Sequence, residues 1–262
     1  MLNTTIYELG SARFIAFSNN EMSVGLTTVR LPDKERLLEY ANVEGWAEGG
    51  MNYFLLDTGR QKVLFDTGTN VSYDGLLLKR LAEIDINPED IDVIAITHMH
   101  SDHTGGLITY DGEAAFPKAK LYISKEDVDY WVERDELAGY VVDKYAGRLF
   151  AFEQNRQITS EVLSIPAFGH TPGHTMYKIT VDGQSLLVWG DIVHAYVQFE
   201  HPEVYLVYDT DTKLALKTRF EVMKRVADEN LPIAGVHITK PGVGKLSSIG
   251  SNSYKFTSGL TK

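Results

Sequence analysis

Three histidines and one aspartate stand within six residues as His98-x-His100-x-Asp102-His103. At this composition, a match to those four fixed positions arises by chance on the order of once in two thousand chains. On an extended or turning backbone alternate residues point the same way, so His98 and His100 can converge on one ion while Asp102 and His103 face a second. A lone histidine reads first as a polar loop side chain that caps a helix or meets solvent. The clustering reverses that reading. The chain contains no cysteine, which rules out thiolate ligands, a thiol nucleophile, disulfides and iron–sulfur clusters. Imidazole and carboxylate ligands suit zinc first, and also manganese, cobalt or iron.

A site for two ions needs more ligands, and three further segments offer them where apolar strands end. They are His170 in Phe168-Gly169-His170-Thr171-Pro172-Gly173-His174, Asp191 after Gly190, and His237 after Val236. Taken singly, His170 and His237 read equally well as strand-end histidines with backbone partners, and Asp191 as a turn aspartate. Their order and context lift them together. The turn at Pro172-Gly173 places His174 behind His170, in a supporting role. Asp66 reads either as a turn residue or as a carboxylate that orients a ligand imidazole.

The elements that must position these residues follow from periodicity and turn signals. Asn52 to Asp66 reads as two strands around a turn at Thr58-Gly59-Arg60-Gln61. Gly75 to Ile84 carries leucines at helical spacing, with Pro88 as a stop, and Ile91 to Ile96 is a buried strand leading into His98. A strand near Lys120 to Ile123 precedes Ser124 and Asp127, a capping box that opens a helix through Trp131. Tyr140 to Phe150 is ambiguous and is read as helical. Met176 to Val181 and Ser185 to Trp189 flank Asp182-Gly183, a hairpin signal. Both hairpins deliver an aspartate, Asp66 or Asp191, which hints at an internal duplication. Thr212 to Asn230 is the clearest helix, with Leu216, Phe220, Met223 and Ala227 along one face, and Pro232 opens a strand ending at His237.

The ordered set of His-x-His-x-Asp-His, Gly-His-Thr-Pro-Gly-His, Gly-Asp and a late His resembles the metallo-beta-lactamase superfamily over roughly residues 50 to 245. That resemblance implies an α+β fold, a four-layer αββα sandwich with the metals along one edge. It further implies that His98, His100 and His170 hold a first metal, that Asp102, His103 and His237 hold a second, and that Asp191 bridges them. Trp189 to His194, Val197-Gln198-Phe199, Val236-His237 and Pro241 to Leu246 look like the branch containing methyl parathion hydrolase and quorum-quenching lactonases. Lactonases of that kind often carry a tyrosine three residues after the bridging aspartate, where this chain has His194. His194 reads as a group that steadies an oxyanion or protonates a leaving group, or as a surface histidine near the cleft.

Composition narrows the function. The 262 residues, 44% of them hydrophobic, are enough for a substantial core. With no linker or low-complexity segment evident, residues 1–262 read as one domain with 1–46 as an amino-terminal extension. A formal net charge of −11 without a basic run disfavours nucleic acid. No basic leader with an apolar core and no run of about 18 apolar residues is evident. The expectation is a cytoplasmic protein without a membrane partner, with a homodimer contact placed in the apolar and aromatic stretch Met1 to Trp46. Absence of cysteine excludes the beta-lactamase classes that place cysteine on the second metal. Flavin-linked diiron relatives have glutamate where His100 stands, and transfer RNA processing relatives add a substrate-gripping arm not evident here.

Two adjacent cations bring the pKa of a shared water toward neutrality, and Asp102 can orient the resulting hydroxide and take its proton. The expected enzyme is therefore a dinuclear hydrolase of a small ester, lactone or phosphotriester, with Asp102 and His194 as catalytic candidates. A beta-lactam or phosphodiester hydrolase and a non-catalytic metal-binding scaffold are the competing readings. Trp46, Tyr53, Tyr110 and Phe199 are aromatic candidates for the pocket wall, each reading first as core.

Overall fold

A computed structural model describes residues 3–23, 29–30, 46–69 and 75–260. The strands are β1 (Thr4–Leu9), β2 (Ala12–Ser23), β3 (Val29–Arg30), β4 (Glu48–Asp57), β5 (Lys62–Phe65), β6 (Val93–Ala95), β7 (Lys120–Ser124), β8 (Leu149–Phe152), β9 (Val162–Pro166), β10 (Thr175–Val181), β11 (Gln184–Val188), β12 (Tyr205–Leu206), β13 (Ile233–Ala234), β14 (Val243–Gly250) and β15 (Ser253–Ser258). The α-helices are α1 (Leu77–Ala82), α2 (Ser101–Thr104), α3 (Lys125–Trp131), α4 (Glu136–Lys144), α5 (Val197–Glu200) and α6 (Thr212–Asp228). Among the described residues, one sheet has seven strands in the order β1-β2-β4-β5-β6-β7-β8 and a second has six in the order β15-β14-β13-β11-β10-β9.

Alternation along the strands explains how the sheets stack. On β10, Tyr177, Ile179 and Val181 join the core shared with the first sheet, whereas Met176 faces the other way, toward α6. On β11, Leu186 and Val188 face the shared core and Leu187 faces the helix side. This is the period of two that a strand with both faces covered must have. Helix α6 covers the outer face of the second sheet with Val222, Met223 and Val226. Leu77 and Leu81 of α1, with Ala138 and Val141 of α4, are buried against the first sheet. Helix, sheet, sheet and helix are the four layers of the expected sandwich.

The two hairpins occupy corresponding places in the two sheets. Strand β5 pairs antiparallel with β4 and parallel with β6, while β11 pairs antiparallel with β10 and parallel with β13. The parallel strands end at one common edge, where Asp66, His98, Asp191 and His237 follow. Cross-sheet hydrogen bonds fasten that edge: the Tyr177 hydroxyl donates to Ile96 O at 2.6 Å and Thr175 N donates to Thr97 O at 2.8 Å.

Several local expectations need revision. Ser124 caps α3 by accepting from Asp127 N at 3.2 Å, but the Asp127 carboxylate does not complete the box and accepts instead from Met99 N at 2.9 Å. The ambiguous stretch divides into α4 and the edge strand β8. The buried stripe of α6 is Ala215, Arg219, Val222, Met223 and Val226, centred one residue from the expected face. Arg219 belongs in it because Ile192 O, Pro202 O and Val204 O, at 2.7 to 3.0 Å, accept its N–H groups. Strand β13 stops before His237: Gly235 N still donates to Gly242 O at 2.9 Å in register with β14, and beyond it Val236 O and His237 O accept from Asn52 N and Gly50 N of β4 at 2.9 and 3.0 Å.

The opening stretch contributes to the sheet itself, since β1 and β2 extend it beyond β4. Of the stretch Met1 to Trp46 on which the dimer expectation falls, residues 1–2, 24–28 and 31–45 lie outside the described residues. No described helix is long and apolar enough to cross a membrane.

Candidate metal centre

The loop after β6 is built by a shared capping arrangement. His100 sits at the N-terminus of α2 in extended backbone, and His103 N and Thr104 N donate to His100 O at 3.0 and 3.1 Å. The short turn thus brings the His103 ring back against His98, with centroids 3.9 Å apart, and leaves Asp102 beside it. The loop of His170 meets it through Asp127, whose carboxylate accepts from Thr171 Oγ1 at 3.0 Å and Gly173 N at 2.6 Å as well as from Met99 N. Gly173 has to be glycine there, because a Cβ would lie 1.9 Å from Ser124 Oγ and 2.6 Å from Asp127 N. One buried carboxylate therefore joins both histidine loops to α3.

The side chains singled out by the sequence come together. His98 Nε2, His100 Nδ1 and His170 Nε2 lie 3.0 to 3.2 Å from one another. A tetrahedral zinc with bonds of 2.0–2.1 Å separates its nitrogens by roughly 3.3 Å, so this triangle has the size of a coordination face. Asp102 Oδ2 lies 3.8 Å from His103 Nε2 and 3.3 Å from His237 Nε2, forming a second group. Asp191 stands between them. Its Oδ2 is 3.2 Å from both His170 Nε2 and His237 Nε2, and its Oδ1 is 3.2 Å from His103 Nε2.

The donor set fits divalent cations. Asp191 Oδ1 and His103 Nε2 are buried yet make no hydrogen bond among the described residues, although they face each other. Leaving such groups unmet is costly, and a cation between them satisfies both. The other ring nitrogens are committed elsewhere: His103 Nδ1 to Asp66 Oδ2 at 2.9 Å, His170 Nδ1 to Asp209 Oδ1 at 2.9 Å, and His237 Nδ1 to Gly50 O at 3.1 Å. These contacts fix ring orientation and leave Nε2 of each ring for an ion.

Electrostatics agree with that division. Burial, with His103 and other imidazoles adding to it, holds the His98 pKa well below its ordinary value. Burial and then His170 bring His100 down to about 3. Both are neutral imidazoles at neutral pH, the form that binds a cation. Burial opposes ionisation of Asp191, but His237, His103 and His194 outweigh it and hold the carboxyl well below the usual range. Burial likewise opposes a charged His237, yet Asp191 and Asp102 push it up to about 10. A cation arriving there replaces a proton.

His174 is buried behind His170, as expected from Pro172-Gly173: its Nδ1 donates to Ala167 O at 2.9 Å and its Nε2 accepts from Asp191 N at 3.0 Å. His194 enters the group, with Nε2 3.1 Å from Asp191 Oδ2. Burial lowers its pKa to about 4, with the Asp191 charge working the other way. Of the aromatic candidates, Tyr53 and Phe199 are core, Trp46 packs on a small cluster with Val204 and Leu206, and Tyr110 is 84% exposed.

Three residues that reasoning from sequence missed complete the edge. Asp127 was hidden inside a capping signal. Asp209 stands 39 positions from the imidazole it contacts, with no motif around it. Asn52, fully buried within β4, donates through Nδ2 to Val236 O at 2.9 Å and Ile238 O at 2.6 Å and so grips the backbone on either side of His237.

Comparison with known proteins places this geometry. The metallo-beta-lactamase superfamily matches residues 46–233. The solved hydrolase AbOPH, described as in the beta lactamase superfamily, superposes with a TM-score of 0.89 at 26% identity, covering 100% of this chain and 99% of the other. AidC, described as a dizinc quorum-quenching lactonase, superposes with a TM-score of 0.85 at 22% identity over 99% of this chain and 98% of that one, a likeness of fold. The exodeoxyribonuclease WalJ of Streptococcus pneumoniae is 45% identical over 146 residues, 53% of this chain and 49% of that protein. Matches to the first curated relatives span only 23% to 44% of those proteins' length. With the family match extending over most of the chain and the strand-end histidines and aspartates gathered at one sheet edge, this chain belongs to the metallo-beta-lactamase superfamily.

Proposed function

We propose that the chain is a dinuclear, zinc-dependent hydrolase acting on a small, largely uncharged lactone or ester, with phosphotriesters as a secondary class. The observation that carries this reading is Asp191, whose two oxygens face His170 and His237 on one side and His103 on the other. Its environment supports a bridging carboxylate, with His98, His100 and His170 around one ion and Asp102, His103 and His237 around the other. Two divalent ions held there supply a Lewis acid and an activated water at neutral pH.

The chain's own groups do the rest. Asp102 is the ligand-set carboxylate with the most exposure, 32%, so it can accept a hydrogen bond from the attacking water and then its proton. His194, neutral at pH 7 and with Nε2 3.1 Å from Asp191 Oδ2, stands beside the proposed bridge, where its ring N–H can donate to an oxygen that gains charge, in the manner of a neutral imidazole electrophile. The net charge of −11 favours a neutral substrate over a polyanion. A phosphodiesterase activity is the second reading, supported by the likeness to an exodeoxyribonuclease.

The test is metal analysis together with hydrolysis of lactones, aryl esters, phosphotriesters and single-stranded DNA by the native protein and Asp102→Ala. Two ions per chain and lactone or ester turnover lost in the variant support the proposal. Preferential cleavage of DNA rejects the substrate class, and a protein that takes up no metal rejects the centre.

A further inference from the structure

We infer that Asp209 is a positioning residue for His170, an inference that rests on the metal-centre reading above. The Asp209 side chain is completely buried, and its Oδ1 lies 2.9 Å from His170 Nδ1. On the opposite side of the same ring, Nε2 faces His98 Nε2 at 3.2 Å and His100 Nδ1 at 3.0 Å. The two nitrogens thus have separate duties: Nδ1–H donates to the carboxylate, which leaves the Nε2 lone pair for a cation. A carboxylate in that place fixes the tautomer and increases the basicity of the ligand.

The neighbours of Asp209 hold the backbone as it holds the ring. Thr210 donates to His170 O through N at 2.9 Å and through Oγ1 at 3.0 Å, and Asp211 N donates to Gly169 O at 2.9 Å. Asp211 then caps α6 by accepting from Leu214 N at 3.0 Å. Gly169, with φ of +126°, lies so close to this junction that a Cβ would come within 2.2 Å of Ala215 N. The strap 209–211 therefore fastens the His170 loop to the start of α6.

The supporting contacts of the two groups also correspond. Asp66 contacts Nδ1 of His103 in one group, and Asp209 contacts Nδ1 of His170 in the other. Among the described residues, a backbone carbonyl stands behind His237 and a threonine hydroxyl behind His98. Each ion site thus receives one carboxylate-backed imidazole.

The experiment compares the native protein with Asp209→Ala, Asp209→Asn and, as a structural control, Asp135→Ala, which removes the cap of α4, a side chain that accepts from Ala138 N and not from a ligand candidate. Each is titrated with cobalt(II) and zinc against a chromogenic chelator, the visible absorption of the cobalt form is recorded, and Tm is measured. The expected result is a native protein with two ions and an Asp209→Ala form whose affinity for one of them falls by about 10- to 100-fold, with altered cobalt bands. Asp209→Asn, which keeps an acceptor oxygen without the charge, falls between them and carries the test where the alanine form does not fold. Asp135→Ala lowers Tm with native affinity and spectrum. Native affinity and cobalt bands in the Asp209 variants overturn the inference, as does an equal loss in Asp135→Ala. A native protein that binds no cobalt or zinc overturns instead the metal-centre reading on which the inference rests.

Discussion

Asp66 and Asp191 end corresponding hairpins in the two sheets and do different work. In the first half the residue of positive φ is the aspartate itself, Asp66 at +57°; in the second it is Gly190 at +59°, and the aspartate follows it. That single-residue offset turns the carboxylates apart. Asp66 points back into the sheet edge, accepting from Thr97 N at 2.7 Å and Thr97 Oγ1 at 2.8 Å while it orients His103. Asp191 is carried forward until His98, His170, His194 and His237 all lie within 3.7 Å of its Oδ2. The same slot in a repeated architecture thus yields a supporting residue in one half and a ligand candidate in the other, according to where the left-handed residue falls.

The strongest way to break the comparison is Asp191→Asn. It removes the charge between the imidazoles and is expected to abolish retention of one ion and to lower kcat/KM by at least about 1,000-fold, several kcal/mol in the barrier, measured by metal analysis after gel filtration and by initial rates. Asp66→Asn should cost less, about 10- to 100-fold in affinity for one ion, read by chelator competition; an equal loss in both variants means that the two aspartates are not divided as described. Gly190→Ala tests the offset itself. Its Cβ would lie 2.4 Å from His174 Nε2 in a left-handed backbone, so a destabilisation of roughly 1–3 kcal/mol in urea unfolding is expected. The smallest effects belong to the hairpin turns, where Asp57 accepts from Gly59 N and pairs with Arg13, while exposed Asp182 accepts from Ser11 N. Burial opposes the Asp57 charge, but Gly59 N–H, Arg13 and Lys62 lower its pKa below the ordinary 3.8. Its contribution is therefore present above that value and is lost as pH falls through the folded pKa. Asp57→Asn should flatten the acid limb of a stability–pH curve more than Asp182→Asn.

Much of this was legible in the sequence because the ligand candidates are local clusters at ends of apolar runs. His98 to His103 occupy one loop, and His170, Asp191 and His237 each stand a few residues beyond a strand. The hairpins were equally readable, since Asp182-Gly183 adopts the positive φ values, 48° and 78°, that such turns require. What stayed hidden depends on partners far along the chain. Arg219 reads as solvent-facing until the carbonyls of Ile192, Pro202 and Val204 surround it. Asp127 fits a capping signal so well that its contacts with Met99, Thr171 and Gly173 have no local trace. Periodicity reports which face is covered; it does not report which buried polar group meets which.

The grip of Asn52 on the His237 loop has a consequence for the order of assembly. His237 Nδ1 reaches Gly50 O across 187 positions of chain, so its group closes only when the first and last thirds of the protein meet. Contacts of such separation form late, because the intervening chain must be ordered before they are rewarded. His98, His100 and His103 emerge long before His237, and a chain still being synthesised has only part of the donor set. On the proposed centre, loading of an ion beside His237 would therefore report that the whole sheet edge has closed, and divalent metal would serve as a latch set at the end of folding.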